Sequence, residues 1–537
     1  MACNWLFTRQ AKWLKWHAQV DQLVKGKIVI LELDRQSHAP LYTQIASQVR
    51  QLIRHGVLKI GDRLPPNREL AKTLGVSRST VVTAYDELLG DGLIASRIGS
   101  GTFVAGVPAA QARVQAEAVE AAAPQIAPLN WEAVLPELRV DDWLGNHGAA
   151  RRKDSLVFTH SLPAMELFPL DDFRHSVERV LRRDGRNLLQ LGVSSGNESL
   201  QQYLLQQMAL VGIRAEADEL LVTSGCQQAL DLLRQTLLQP GDEIVLENPT
   251  YAGALSLFCR SQYKSISVPV GAQGLDLNAL EDVLRRRRPK LIYVVPTFHN
   301  PTGVTMDLAA RRRLIVLAAQ YRVPIVEDEI YRDLRYEGAA LPSLKALDHY
   351  GVVIYLNSFS KVSFPGLRVG WIVAPRLLVE HLHTLRQRTD FHGNLLAQAA
   401  LADFARQGLL NKHIQRCRRH YVQRRDVMLA ALREHFPRAA SWTEPEGGMA
   451  IWVRLPEGAN ADALFSQAQM QGIYFTPGTR FYASGAKANT LRLSFTMMAA
   501  AQIEEGVRRL GKLVEKQMAA LPLERKAQDF GARKALV

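Results

Sequence analysis

Cysteine is scarce. Cys3, Cys226, Cys259 and Cys417 are the four in 537 residues, and no CxxC or other ligand-like spacing relates them. That pattern argues against a disulfide framework or a zinc site and suits a reducing compartment. No metal site is expected. Long apolar runs are also missing, since nothing approaches the roughly 18 consecutive apolar residues of a membrane span. The opening segment, MACNWLFTRQAKWLKWHAQ, interleaves Trp with Lys and Arg, unlike a secretory signal. A soluble, cytoplasmic chain without a membrane partner is expected. Acidic residues are in deficit, 52 against 66 Lys and Arg, which gives a formal net charge of +14. The excess favours polyanion partners, nucleic acid first, although many basic proteins bind none. Hydrophobic residues still reach 47%, too many for a disordered chain. This length predicts two or three domains.

The texture changes along the chain. Residues 1–35 form a leader without clear pattern, and residues 36–105 a compact, strongly patterned unit. Residues 106–154 read as a linker: in Ala105–Ala127, 10 of 23 residues are alanine and two are proline, a spacer composition rather than a core. Between residues 155 and 510, short β-branched runs (ELLVTSG, EIVLENP, LIYVVPT, VPIVEDE, VVIYLNS) alternate with helix-patterned stretches. This predicts an α/β domain with a largely parallel sheet. From about Leu396, helices followed by strands at MAIWVRL and TLRLSF predict a small α+β C-terminal subdomain. Residues 511–537 read as a tail. The run Arg285–Arg288 ends a helical pattern and reads as a solvated cap.

In the patterned unit, Leu41, Ile45, Val49 and Leu52 recur at helical spacing up to His55-Gly56. Pro65-Pro66 then stop the chain, and Asn67 is placed to cap a short helix through Leu74. Gly75-Val76-Ser77 makes a tight turn, and Ser77 caps a helix whose apolar stripe is Val81, Ala84, Tyr85 and Leu88. Two short helices across a Gly-containing turn are the geometry that lays the second helix in the major groove. Arg78, Ser79 and Thr80 then fall on its first turn, where base edges and phosphates are reached. The following LIASRIGSGTFVA predicts two strands around a Gly-Ser-Gly tip, a wing from which Arg97 could approach DNA. Pro40 to Val104 holds eight Lys/Arg and five Asp/Glu, a net of +3, so binding should weaken with salt.

The strongest chemical signal is SFSKVSFPGLRVGW, Ser358–Trp371. Lys361 follows a predicted strand, is flanked by hydroxyls, and precedes Arg368 by seven positions. A phosphate loop or an exposed Lys/Arg pair would also fit this segment alone. Pyridoxal phosphate needs a lysine amine for its aldehyde and a cation with hydroxyl donors for its phosphate. Lys361, Ser358, Ser360 and Arg368 supply both. VPIVEDEIYRDL puts Asp328 at a strand end, where a buried carboxylate could face the pyridine nitrogen, with Tyr331 three residues on. Tyr331 and Asn300, in FHNPTG, could donate to the phenolate oxygen. In TSGCQQALDLL, Gly225, Cys226 and Gln227 open a helix whose amides could hold the phosphate. Tyr251, in ENPTYAG, could stack on the ring.

The segment PLYTQIASQVRQLIRHGVLKIGDRLPPNRELAKTLGVSRSTVVTAYDELLGDGLI resembles the GntR family of winged-helix regulators. The resemblance implies double-stranded DNA as partner and contacts from Arg68, Ser77, Arg78, Ser79 and Gly99. The ordered set from 155 to 510 resembles fold-type I, pyridoxal phosphate-dependent aminotransferases. It implies carboxylate capture by Arg492, in TLRLSF, where a strand-end arginine could otherwise be structural. The tandem resembles the MocR subfamily of GntR regulators, which implies a homodimer, often head-to-tail, with pyridoxal phosphate on Lys361. Relatives commonly place a tyrosine in a YGDPxG-like segment that reaches the neighbouring subunit's phosphate. Here LGVSSGNESL has Leu191 at that position and Ser194-Ser195 for Asp-Pro.

The expected function is a DNA-binding regulator that senses an amine or amino acid, or pyridoxal phosphate itself, through its aminotransferase-like domain. A working aminotransferase carrying a DNA-binding module is the alternative.

Overall fold

The computed structural model describes residues 31, 33–35, 37, 39–97, 101–105, 130–134, 154–259 and 263–520. Expectations for the leader through residue 30, the wing tip with Gly99, most of the linker and the tail beyond 520 lie outside the described residues. The chain divides into two compact units, Met1–Leu138 and Arg139–Val537.

In the first unit, α1 (Leu41–Arg54) buries Ile45, Ala46 and Val49. The helix-turn-helix follows as α2 (Asn67–Leu74) and α3 (Arg78–Gly90), and α3 buries the apolar stripe expected from its spacing. Asn67 is not a cap. Pro66 takes the cap position in an extended conformation, and Asn67 is the first helical residue. Gly75 closes α2 at φ 63°, a left-handed conformation that costs glycine little. Ser77 caps α3, its hydroxyl accepting from the Thr80 amide at 3.1 Å. β1 (Ile94–Arg97) and β2 (Gly101–Val104) pair antiparallel, Ile94 with Val104 and Arg97 with Gly101.

Part of the expected leader, residues 1–35, belongs to this unit. Leu31 is buried in the core of this unit, and Gln44 bonds both the amide and the carbonyl of Asp34 at 2.9 Å. Arg35 reaches across to the helix-turn-helix, its guanidinium donating to the Gly75 carbonyl at 2.7 Å.

In the second unit, β3 (Leu156–Val157) pairs in parallel with Ile473–Tyr474. The main sheet contains β4 (Leu220–Thr223), β5 (Glu243–Asn248), β6 (Lys264–Gly271), β7 (Gly274–Leu275), β8 (Leu291–Val294), β9 (Ile325–Asp328), β10 (Val353–Ser358) and β11 (Gly370–Val373). Their spatial order is β4-β11-β10-β9-β8-β5-β6-β7. The five strands from β10 to β6 run parallel, while β11 and β7 are antiparallel. The strands β4, β5, β8, β9 and β10 are the five runs read from sequence, and all but the ends of β5 are buried. Helix α4 (Glu198–Leu210) buries Leu200, Tyr203, Leu204 and Met208, and α5 (Cys226–Leu237) starts directly after β4.

The long α6 (Leu409–His435) leads to the small subdomain. Its sheet uses β12 (Ser441–Trp442), β13 (Ala450–Arg454), β15 (Thr476–Pro477) and β16 (Thr490–Ser494), while β14 (Ile473–Tyr474) is the partner of β3. The final helix, α7 (Ala500–Ala519), runs through the boundary expected at 510. Leu513 and Val514 are buried on it, so the domain extends to Ala519. No helix among the described residues is long and apolar enough to cross a membrane.

Candidate functional site

The first unit presents its candidates on one turn. Ser77, Arg78 and Ser79 are exposed at the start of α3, with Arg68 exposed on α2. Thr80 differs from expectation. It is half-buried, and its hydroxyl lies 2.7 Å from that of Ser77, which also lies 2.7 Å from Ser79. Thr80 thus shapes the turn. Arg97 is exposed on β1 and spreads over the Phe103 ring at 5.4 Å. Arg35 went unnoticed in the sequence because no local pattern signals a contact forty residues away.

In the second unit, the strand ends converge on one cavity. Cys226, Gln227, Tyr251, Asn300, Asp328, Tyr331, Ser360, Lys361 and Arg368 line it together. β9 ends at Asp328 and β10 runs into the turn Phe359–Lys361, so two adjacent parallel strands deliver the carboxylate and the amine side by side. This is the carboxyl edge where open α/β sheets bind ligands. Gly225 caps α5 at φ 88°, and a Cβ there would meet Arg368 Nη2 at 2.7 Å. Gly225 therefore opens the space at the helix N-terminus into which Arg368 projects.

Ser358 does not face this cavity. Its hydroxyl accepts from the Ser360 amide at 3.1 Å, lies 2.8 Å from the Ser360 hydroxyl and donates to the Val369 carbonyl at 2.8 Å. It braces Ser360 from behind. Arg492 is buried beside the cavity, donating to Asn300 Oδ1 at 2.9 Å and to the Thr159 carbonyl at 2.6 Å. Its Nε has no partner. The Asn300 amide nitrogen donates to the Tyr331 hydroxyl at 3.4 Å.

Electrostatics follow from burial. Lys361 Nζ donates to the Ser161 carbonyl at 2.7 Å. Burial, and then the Arg492 guanidinium, pull its pKa down to about 8. Burial pushes Asp328 up to about 6, opposed by the hydrogen bond from the Tyr293 hydroxyl at 2.9 Å. Tyr293 and Ser161 were missed from sequence. Tyr293 lies mid-strand and reads as core, and Ser161 precedes Lys361 by 200 residues.

The residues fit pyridoxal phosphate. A buried amine of lowered pKa, a carboxylate, a guanidinium at a helix N-terminus and an unsatisfied Arg492 Nε form the set of groups that this cofactor and an acidic substrate require. No group of metal-ligating side chains occurs among the described residues.

The families described as aminotransferase class I and II and as bacterial regulatory proteins of the gntR family match residues 165–510 and 41–104, respectively. The chain is 32% identical over 500 residues to the probable rhizopine catabolism regulatory protein MocR of Rhizobium meliloti, covering 92% of this chain and 98% of that one. It is 39% identical over 368 residues to 2-aminoadipate transaminase of Thermus thermophilus, covering 68% of this chain and 91% of that one. The crystal structure of LysN, an α-aminoadipate aminotransferase of Thermus thermophilus complexed with N-(5'-phosphopyridoxyl)-L-leucine, superposes with a TM-score of 0.67. It is 37% identical and covers 73% of this chain and all of that one. The cofactor of the large domain is pyridoxal 5'-phosphate. By its aminotransferase domain the chain belongs to the class I and II aminotransferase family, and by its full length to the MocR type of GntR regulator.

Proposed function

We propose that the chain is a DNA-binding regulator whose large domain captures an amine or amino acid and passes its occupancy to the DNA-reading unit. The observation that carries this is Lys361, a buried amine whose pKa is lowered to about 8, walled in by Asp328, Tyr331 and Arg368, in a chain that also carries an exposed recognition turn. When bound, pyridoxal phosphate supplies an aldehyde for amines and an electron-withdrawing ring. Lys361 Nζ would hold the aldehyde end. Arg368, the Ser360 hydroxyl and the amides of Gly225, Cys226 and Gln227 would hold the phosphate. Asp328 would hold a proton at the pyridine nitrogen, while Tyr331 and Asn300 would orient the phenolate side. Tyr251 would cover the ring. Arg492 would bind the effector's carboxylate. Only a difference in effector affinity between two domain arrangements could then change DNA binding.

A homodimer belongs to this reading. Leu189, Leu191 and Val193, alternate residues of one segment, are 73%, 76% and 63% exposed, an apolar stretch that a second copy could cover. Leu191 lies outside the lining of the cofactor cavity and supplies no hydroxyl to a neighbouring site. The first test is gel-shift binding of the cofactor-loaded chain to duplex DNA from upstream of its own coding sequence, titrated with amino acids and amines. One compound should change affinity; an unresponsive complex across the panel would reject the sensor. Arg78→Ala should weaken DNA binding about 5- to 10-fold and lower the slope of log affinity against log salt by about 1. Fluorescence anisotropy across a salt series checks this.

The enzymatic reading rests on the same Lys361–Asp328 pair. Multiple turnovers with an oxo acid acceptor would establish it. The pair also predicts a pH dependence. Only a neutral amine attacks an aldehyde, and the Lys361 pKa is lowered from 10.5 to about 8. Cofactor capture by the cofactor-free chain should therefore level off above about pH 8 and slow ~10-fold per unit below it. Stopped-flow absorption across pH 6–10 measures the midpoint, and a midpoint near 10.5 would show an exposed amine.

A further inference from the structure

A second cleft, of about 270 Å³, lies behind the turn that carries Lys361. Side chains alternate between the two spaces. Tyr331, Ser360 and Lys361 line the cofactor cavity, whereas Arg332, Asp333, Ser358 and Phe359 line this one. A single layer of chain separates them. α4 and α6 form the remaining walls, with Gln207 on the first and Arg418 on the second.

The cleft is rich in donors that have no acceptor. Trp371, on β11, is 7% exposed, yet its indole Nε1 bonds to nothing, and the buried Arg332 Nη1 is likewise unpartnered. Buried polar groups of native proteins are almost always satisfied, so two orphaned donors on residues that line the same cleft point to a missing acceptor. Acids nearby do not fill that role. Asp333 is the single carboxylate lining the cleft, set against the guanidiniums of Arg332 and Arg418. Glu329, which also faces Arg332, is engaged by Arg311 at 3.3 Å and by the Thr297 hydroxyl at 2.8 Å. One positive charge remains in excess. The floor is aromatic, with the Trp371 and Phe359 rings 5.0 Å apart.

We propose that this cleft binds a small aromatic carboxylate, its acid on Arg332 Nη1 and the Trp371 indole N–H and its rings against Phe359. A phosphate would bring more negative charge than one excess cation balances, and a protonated amine would meet the guanidiniums of Arg332 and Arg418 with the single carboxylate of Asp333 to offset them. The volume is roughly twice the ~150 Å³ that accommodates benzene, which suits a bicyclic acid.

Indole-3-acetate is the probe, titrated calorimetrically into the full, cofactor-loaded chain. It lacks an amino group and so cannot react at the cofactor aldehyde. Saturable binding at one site per chain is expected, with indole-3-acetamide at least ~10-fold weaker. Arg332→Gln and Trp371→Phe should each weaken binding ~10-fold or more. Trp371→Phe strands no partner, because the indole N–H has none. Gln207→Trp, at a half-buried position of α4, should block the cleft outright, and Arg492→Gln should leave binding unchanged. Melting temperature and the visible cofactor band establish that each variant is folded. Loss of binding in Arg492→Gln with no effect of the cleft variants would place the acid in the cofactor cavity and overturn the proposal. So would the absence of saturable heat with the unsubstituted chain.

Discussion

Lys361→Ala should abolish covalent capture of pyridoxal phosphate, and with it any response of DNA binding to amines. The alanine removes the amine that meets the aldehyde and leaves the Ser161 carbonyl without its 2.7 Å donor. It also withdraws a positive charge that favours ionised Asp328, so that carboxyl should titrate at higher pH. The residues proposed to hold the phosphate are untouched, so cofactor should still bind, but reversibly. On gel filtration it should separate from the variant while remaining with the unsubstituted chain. Basal DNA affinity should persist, since α3 and its exposed Arg78 belong to the other compact unit. A Lys361→Ala chain that still responds to an amine in the gel-shift assay would refute the sensing mechanism.

Arg492→Gln should weaken the binding of amino acids by ~100-fold, from loss of a charge-assisted pair with the carboxylate of about 3 kcal/mol. Amines without a carboxylate should bind as before. That contrast isolates the role, because general damage to the cavity would weaken both classes. A second effect should accompany it. Arg492 is the largest influence after burial that lowers the Lys361 pKa. Removing its charge should move the midpoint of cofactor capture above about 8. Absorption titrations with an amino acid and its decarboxylated amine, repeated across pH, measure both effects. Equal weakening of the two ligands would rule out carboxylate capture by Arg492.

What could be read from the sequence follows from where chemistry sits in a parallel sheet. Asp328, Asn300 and Lys361 each end or closely follow an apolar strand, so a linear pattern marks them. Arg368 follows the next turn, Pro365–Leu367, and shares the motif of Lys361. The hydrogen-bond partners escaped notice for the opposite reason. Tyr293 sits within a buried strand, where its hydroxyl is invisible to periodicity. Ser161 offers a backbone carbonyl, which no residue type announces. Ser358 shows the limit of motif reading. The two hydroxyls lie 2.8 Å apart, yet only Ser360 lines the cofactor cavity, and the backbone alone decides which one does. β6 was missed because only Val268 along it is fully buried, which blurs the apolar run of a central strand.

The Arg35 clamp has a practical consequence for dissecting the chain. A DNA-binding fragment cut at Leu41, where the gntR match begins, would forfeit Leu31 from its core and the guanidinium that ties down the Gly75 turn. Such a fragment should melt earlier and read DNA less faithfully than one started upstream of Leu31. A weak result from the shorter piece would then reflect the scissors rather than the protein.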